Sequence, residues 1–287
     1  MYGAVIGDIV GSKYEFDNIK TKDFPLLSEG CTFTDDTILT VAVARALMQS
    51  FAGESALKPA LVAQMRALGR RYADPQGGYG CRFSAWLRAR TPKPYHSFGN
   101  GAAMRVSPCG LIAATAEEAA ALARTSAEVT HDHPEGIRGA QAVAVAVFMA
   151  KTGRRKKEIA AEITARFYTL PQTLAEVRPT YRFDESCQGT VPQAVLAFLE
   201  STSYEDAVRN AVSLGGDSDT LAAITGSIAW PYYRFGGDRA GAAQCDWPLD
   251  RDRREIDALL PQEFVDTIEA FSLACKARRH CRSSENQ

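Results

Sequence analysis

Twice in this chain a threonine and two aspartates stand where a strongly apolar helix should begin. Thr34-Asp35-Asp36-Thr37 leads into Ile38-Leu39-Thr40-Val41-Ala42-Val43-Ala44, and Gly215-Gly216-Asp217-Ser218-Asp219-Thr220 leads into Leu221-Ala222-Ala223-Ile224. A single Asp or Thr suffices to satisfy free N–H groups at a helix start and to favour the positive end of the dipole. A second carboxylate adds like-charge repulsion, and beside a helix apolar nearly all round an unpaired charge is costly to bury. Neither motif contains Lys or Arg. Hard carboxylate and hydroxyl oxygens are the ligands that Mg2+, Mn2+ or Ca2+ prefer, and four aspartates carry the charge that two divalent ions neutralise. Capping explains each motif taken alone; the matched pair favours metal.

Three further segments could take part in chemistry. Gly7-Asp8-Ile9-Val10-Gly11-Ser12-Lys13-Tyr14-Glu15 ends a first apolar helix in a glycine-containing turn and sets Glu15 on a loop at its mouth, where a glutamate is ordinarily solvated. Ser97-Phe98-Gly99-Asn100-Gly101-Ala102-Ala103-Met104-Arg105 is a glycine-rich loop running into a helix; exposed amides there suit phosphate oxygens, although glycine before a helix is common. Phe98 can stack on a base or simply pack, and Arg105, inside the helix, is read as a structural ion-pair partner. Thr130-His131-Asp132-His133-Pro134 puts two of the four histidines at one helix entrance, either as capped and solvated side chains or as ligands. The basic run Arg154-Arg155-Lys156-Lys157 is the exposed start of an amphipathic helix and receives no function.

The elements that must position these residues are helical. Apolar residues recur at three- and four-residue spacing, and alternating strand-like runs are absent. Helices are expected over 2–10, 36–51, 56–72, 82–89, 102–113, 116–129, 134–152, 155–168, 190–201, 204–214, 219–234 and 261–278, giving an all-α protein. Connections rich in Gly, Pro, Asn and Asp join them, the longest over 11–30, 92–101 and 171–189. No break of composition divides the chain, so a single domain is expected over 1–275, with a frayed polar tail over 276–287.

Composition narrows the setting. The chain has 287 residues, 46% apolar and 23% charged, as expected of a globular protein with a sizeable core. Its net charge of -1 provides no global field for nucleic acid or an anionic membrane, so an anionic ligand must be held by local groups. No apolar stretch reaches the ~20 residues of a bilayer span, and the acid at Asp8 argues against a secretory leader. Seven cysteines, without a Cys-x-x-Cys pair, fit free thiols in a reducing cytoplasm.

In motif order, GDIVGSKYE, FTDDT, GGYG, SFGNGAAMR, THDHPEG, the segment Cys187-Gln188-Gly189-Thr190-Val191-Pro192-Gln193-Ala194 and LGGDSDT together resemble the ADP-ribosylglycohydrolase family. That family includes the dinitrogenase reductase-activating glycohydrolase and the ADP-ribosyl-arginine hydrolases. The resemblance runs from Gly3 to about Tyr233 and implies an all-α orthogonal bundle around two magnesium ions, with Mn2+ as a substitute. It implies Thr34, Asp35, Asp36, Asp217, Asp219 and Thr220 as metal ligands and Glu15 beside the substrate ribose. It implies substrate contacts from Gly78, Tyr79 and Gly80, from Ser97, Phe98, Gly99, Asn100, Gly101 and Met104 along the diphosphate, and from His131 near the nucleotide. The chain departs at Trp230-Pro231, where many relatives carry Glu-Ala; the change alters either the pocket or the outer end of the helix.

The reaction implied is hydrolysis of the bond between the distal ribose C1 of ADP-ribose and an acceptor atom. Paired hard cations lower the pKa of a bound water, and nearby carboxylates stabilise the positively charged ribosyl transition state. Glu15 and Asp36 are expected to share proton transfer and orientation of that water. An arginine-linked protein substrate is the favoured acceptor, with serine-linked ADP-ribose, O-acetyl-ADP-ribose and modified nucleic acid as alternatives. Two rival readings are a non-catalytic ADP-ribose reader or inhibitor, and a His-Asp metal phosphohydrolase centred on His131-Asp132 with His96.

Overall fold

A computed structural model describes residues 1–235 and 251–285, with side chains described over 1–235 and 253–278. Among the described residues there are fifteen helices and no β-sheet: α1 (Tyr2–Ser12), α2 (Asp35–Phe51), α3 (Leu57–Arg71), α4 (Cys81–Arg88), α5 (Gly101–Met104), α6 (Ser107–Ile112), α7 (Ala116–Ala127), α8 (Pro134–Lys151), α9 (Lys156–Arg166), α10 (Leu174–Val177), α11 (Cys187–Leu199), α12 (Tyr204–Val212), α13 (Ser218–Phe235), α14 (Arg251–Ala258) and α15 (Gln262–Glu285). The all-α expectation holds. One isolated bridge, between Gly99 and Ser186, ties the glycine-rich loop to the start of α11.

Differences from the expected elements have local causes. The helix expected over 102–113 is two, α5 and α6, because Pro108 lies in the first turn of α6 and has no N–H to continue a ladder from α5. α11 starts at Cys187, earlier than expected, since the Ser186 side chain accepts a bond from Gly189 N–H and caps it. α10 is a short turn inside the long 171–189 connection, and α14 has too many charges to show an apolar period. The tail expected to fray from 276 is helical as far as Glu285. Arg278 explains its start: its guanidinium pairs with Glu118 and lies 3.8 Å from the centre of the Phe51 ring. Cys31, Cys81, Cys109, Cys187 and Cys275 are free thiols; Cys245 and the Cys281 side chain lie outside the described residues. No helix among the described residues is long and apolar enough to cross a membrane.

α1 and α13 run antiparallel with their backbones in direct contact. Gly3, Gly7 and Gly11, one per helical turn, face Gly226, Ala222 and Ser218. A Cβ on Gly7 would lie 2.1 Å from the Ala222 carbonyl oxygen, one on Gly11 2.4 Å from that of Ser218, and one on Gly3 2.3 Å from that of Gly226. α1 contributes only backbone along this seam. The Tyr204 hydroxyl donates to the Gly3 carbonyl at 2.9 Å and locks one end, while Ser218 donates to the Gly11 carbonyl at 2.9 Å at the other. Trp230 packs at the first end against Tyr2 and Tyr204. It is eleven residues, or about 16 Å of helix rise, from Asp219, so the Trp230-Pro231 departure shapes the outer helix end and not the acidic one.

This seam makes a prediction. Gly7→Ala should lower unfolding free energy by about 1–3 kcal/mol through overpacking. Gly80→Ala, where an added Cβ meets nothing within 4 Å, should stay within about 0.5 kcal/mol of the parent. Urea denaturation of the two variants checks this, and equal stabilities would count against backbone contact between α1 and α13.

Candidate metal centre

The antiparallel seam sets the start of α13 beside the end of α1, and α2 begins against the same place. Five buried carboxylates meet there in two groups. Oxygens of Asp8, Asp36 and Asp219 lie within 4.8 Å of one another, as do those of Glu15, Asp217 and Asp219. Asp219 belongs to both.

Each carboxylate is held by an identifiable contact. Asp8, on α1, accepts from the backbone N–H of Thr34 at 3.0 Å and of Thr37 at 3.1 Å, and from both threonine hydroxyls. It thereby caps α2 from another helix. The Thr34 hydroxyl in turn accepts from Asp36 N–H at 3.2 Å. The Thr220 hydroxyl donates to Asp36 Oδ2 at 3.1 Å, and Asn100 Nδ2 donates to Asp217 Oδ2 at 2.6 Å. Against these, Asp36 Oδ1, Asp219 Oδ1 and Glu15 Oε2 are buried without a hydrogen-bond partner. Among the described residues the ion pairs lie elsewhere, as with Arg45 and Glu263 or Arg209 and Glu205.

Such a cluster resists ionisation. Burial, followed by the charges of its neighbours, pushes Asp35, Asp36 and Asp219 well above the usual carboxylate range. Burial outweighs the threonine bonds at Asp8 and raises it to about 6; burial and then the Asp217 charge raise Glu15 to about 7. Three orphaned oxygens in a field of one sign are the donor set of a hard divalent cation. The residues therefore fit a metal held through oxygen.

The other expected site residues are placed as follows. Asp35 is half-buried and outside both groups, although the charges of Asp8, Asp217 and Glu15 act on it. Met104 lies beneath the centre, its sulfur 3.9 Å from the Thr220 hydroxyl. Asn100 bridges Asp217 and Thr190, Gly99 N–H donates to Ser97 Oγ at 3.1 Å, and Gly101 opens α5. Phe98 is exposed and meets His133 edge-on at 5.4 Å between ring centres. His131 is buried, with Nδ1 2.7 Å from the Thr130 hydroxyl. Gly78 is in the left-handed region, the Tyr79 hydroxyl donates to the Tyr72 carbonyl, and Gly80 precedes α4.

Three residues escaped the sequence reading: Asp8, Thr37 and Gly77. Asp8 had a visible signal, as the one charged residue in the otherwise apolar or small α1. Gly77 adopts φ +76°, and a Cβ there would lie 2.7 Å from Glu15 Oε2; it lets the 75–80 loop close over that carboxylate. Two expectations are corrected. Arg105 pairs with no acid: it is fully buried and donates to the Ser126 carbonyl and the Thr130 hydroxyl, both at 2.8 Å. The phosphohydrolase reading lacks a metal site on histidine, since both candidate groups among the described residues consist of carboxylates only and His96 meets Asp132 at the surface.

Comparison with known proteins bears on this carboxylate centre. The family model described as ADP-ribosylglycohydrolase matches residues 1–234. The chain belongs to the ADP-ribosylglycohydrolase family. It is 27% identical to the ADP-ribosylhydrolase ARH3 of Homo sapiens, over 80% of this chain and 83% of that protein. It is 24% identical to the ADP-ribosylarginine hydrolase Tri1 of Pseudomonas putida (strain GB-1), over 83% of this chain and 70% of that one. A solved structure titled ADP-ribosylglycohydrolase-related protein complex superposes with a TM-score of 0.63 at 25% identity, over 90% of this chain and 93% of the other. Membership makes this ADP-ribosylglycohydrolase an enzyme of the glycosidase type.

The raised carboxylates give a signed prediction. A carboxyl whose folded pKa exceeds its unfolded value contributes stability that is present below the unfolded value and is lost as pH rises through the folded one. With Asp8 near 6 and Glu15 near 7, against ordinary values of 3.8 and 4.5, the Tm of metal-free protein should fall between about pH 4 and pH 7. Saturating Mg2+ should abolish that fall by binding the ionised form. A thermal melt series with and without metal checks it, and a metal-free Tm that rises over this interval would contradict the assignment.

Proposed function

We propose that this chain is a Mg2+-dependent hydrolase, active also with Mn2+, that removes ADP-ribose from a modified acceptor by cleaving the bond at the distal ribose C1. The observation that carries the proposal is the pair of carboxylate groups sharing Asp219, with three buried oxygens left without partners. Asp8, Asp36, Asp217, Asp219 and Glu15 would hold the metal, supported by Thr34 and Thr220. When bound, the cations supply Lewis acidity that brings a water's pKa toward neutrality and neutralise the carboxylates.

The remaining work falls to the chain's own side chains. Glu15, buried under the turn at Gly77, is placed to accept a proton from the attacking water and return it to the departing acceptor atom. Asp36, steadied by Thr220, orients that water. Asn100 holds Asp217 and so couples the glycine-rich loop, which would lie along the diphosphate, to the acidic centre. Phe98, exposed beside that loop, offers a stacking face for the base.

The arginine expectation finds support in the name of Tri1, yet the ARH3 protein, whose name specifies no acceptor, is the more similar of the two. Similarity therefore gives arginine no priority, and serine-linked ADP-ribose or O-acetyl-ADP-ribose moves ahead of it as the proposed substrate. The net charge of -1 continues to weigh against nucleic acid as partner.

Incubated with serine-linked, O-acetyl and arginine-linked substrates in parallel, the protein should release intact ADP-ribose, fastest from an oxygen-linked one; mass spectrometry of the product decides. Release of phosphate or nucleoside monophosphate would refute glycosidic cleavage, and binding without release would make the protein a reader. Chelation should abolish turnover and Mg2+ or Mn2+ restore it, with Zn2+ a poor substitute on oxygen ligands.

Glu15→Gln should lower turnover by roughly 10²–10⁴ with little loss of ADP-ribose affinity, as expected for one positioned acid or base. Asp219→Asn should abolish metal-dependent activity while raising the Tm of metal-free protein, because it removes one of the like charges. Steady-state kinetics alongside melts separate the two effects.

A further inference from the structure

Arg105 is fully buried, and two of its three guanidinium nitrogens, Nε and Nη1, have no hydrogen-bond partner. Its third, Nη2, donates to the Ser126 carbonyl and to the Thr130 hydroxyl, both at 2.8 Å. A buried cation so poorly satisfied is costly, and an apolar side chain of similar length would fill the space better. What the charge does there is visible one bond further on. The Thr130 hydroxyl lies 2.7 Å from His131 Nδ1.

A threonine hydroxyl has one proton and two lone pairs. One lone pair receives Arg105, which can only donate. A hydroxyl polarised by a guanidinium is a stronger donor and a weaker acceptor, so its proton goes to Nδ1. Burial and the Arg105 charge also keep His131 neutral, well below its ordinary value. With Nδ1 accepting, the single ring proton is on Nε2. That nitrogen faces the glycine-rich loop: Cβ atoms built on Gly99 and Gly101 would lie 3.5 and 3.4 Å from it.

We propose that Arg105 and Thr130 are positioning residues that hold His131 in its Nε2–H tautomer, so that this N–H is offered as a donor to an anionic oxygen of ADP-ribose lying along Gly99–Gly101. The proposal rests on the ADP-ribose reading given above. Glycine at both positions keeps the donor uncovered, and a fixed tautomer spares the site from selecting one when ligand arrives.

The test uses full-length protein labelled with 15N-histidine and read by long-range 1H–15N correlation, with His131 assigned from a His131→Asn control. Calorimetric titration with ADP-ribose in the presence of Mg2+ accompanies it. Parent protein should show a protonated Nε2 and a bare Nδ1. Thr130→Val, which keeps the side-chain shape and removes the hydroxyl, should move the proton to Nδ1 or to a mixture, and ADP-ribose should bind roughly tenfold more weakly, the size expected for losing one hydrogen bond to a charged oxygen. Thr130→Ser should restore both. Arg105→Met should shift the tautomer in the same direction if it folds, and the threonine variants decide the matter if it does not. A proton on Nδ1 in the parent, or an unchanged tautomer in Thr130→Val, would overturn the proposal. Failure of the parent to bind ADP-ribose would instead refute the functional reading on which the proposal rests, and with it the ligand half of the proposal.

Discussion

Backbone touching backbone along α1 and α13 is the contact from which the rest of this molecule follows. Glycines at positions 3, 7 and 11 keep α1 free of side chains where it meets α13, so the end of one and the beginning of the other are fixed with little freedom to slide. Asp8 is on the flank of α1 next to this seam, and its four bonds to Thr34 and Thr37 draw the start of α2 onto the same spot. Three chain segments far apart in sequence are thus brought together by packing and capping before any ligand is considered.

The cost of that convergence is electrostatic. Five buried carboxylates and a half-buried sixth, Asp35, face one another without a compensating Lys or Arg among the described residues. Helix starts soften the penalty through their dipoles and free N–H groups, and the hydroxyls of Thr34, Thr37 and Thr220 each occupy an oxygen. They do not cancel it, since every one of the shifted groups is displaced toward its neutral form. The fold holds the centre open against its own charge, using apolar packing elsewhere, and a bound cation converts the same residues from a burden into a source of stability.

Much of this was legible in the residues. The paired acidic helix starts announce themselves because two carboxylates before an apolar run exceed what capping needs, and the helical period of the Ala-rich segments is unambiguous. The parts that stayed hidden depend on long-range packing. Asp8 looked like an incidental acid near the N-terminus because its partners, Thr34 and Thr37, are more than twenty residues away. Gly77 is one of several glycines in a short stretch, and only the position of Glu15 shows why a side chain is unwelcome there. Arg105 was read as an ion-pair partner because a single sequence does not reveal that the groups around it are a carbonyl and a hydroxyl. The break between α5 and α6 was readable in Pro108, but the apolar pattern running through it hid the interruption.

Asp219 stands in both carboxylate groups, and this makes them one thermodynamic unit. Any event that moves its oxygens, whether a cation arriving at one group or a proton leaving the other, is felt on both sides at once. Occupancies of the two halves are therefore linked, and the linkage is reciprocal by necessity. Changes at Asp8 and at Asp217 should not combine additively even though these residues belong to different groups, because both act on the same shared side chain. A lineage that lost Asp219 would lose both halves in one step, whereas loss at Asp217 leaves the first group's three members in place and loss at Asp8 the second's. The centre is robust to drift at its edges and brittle at its hinge.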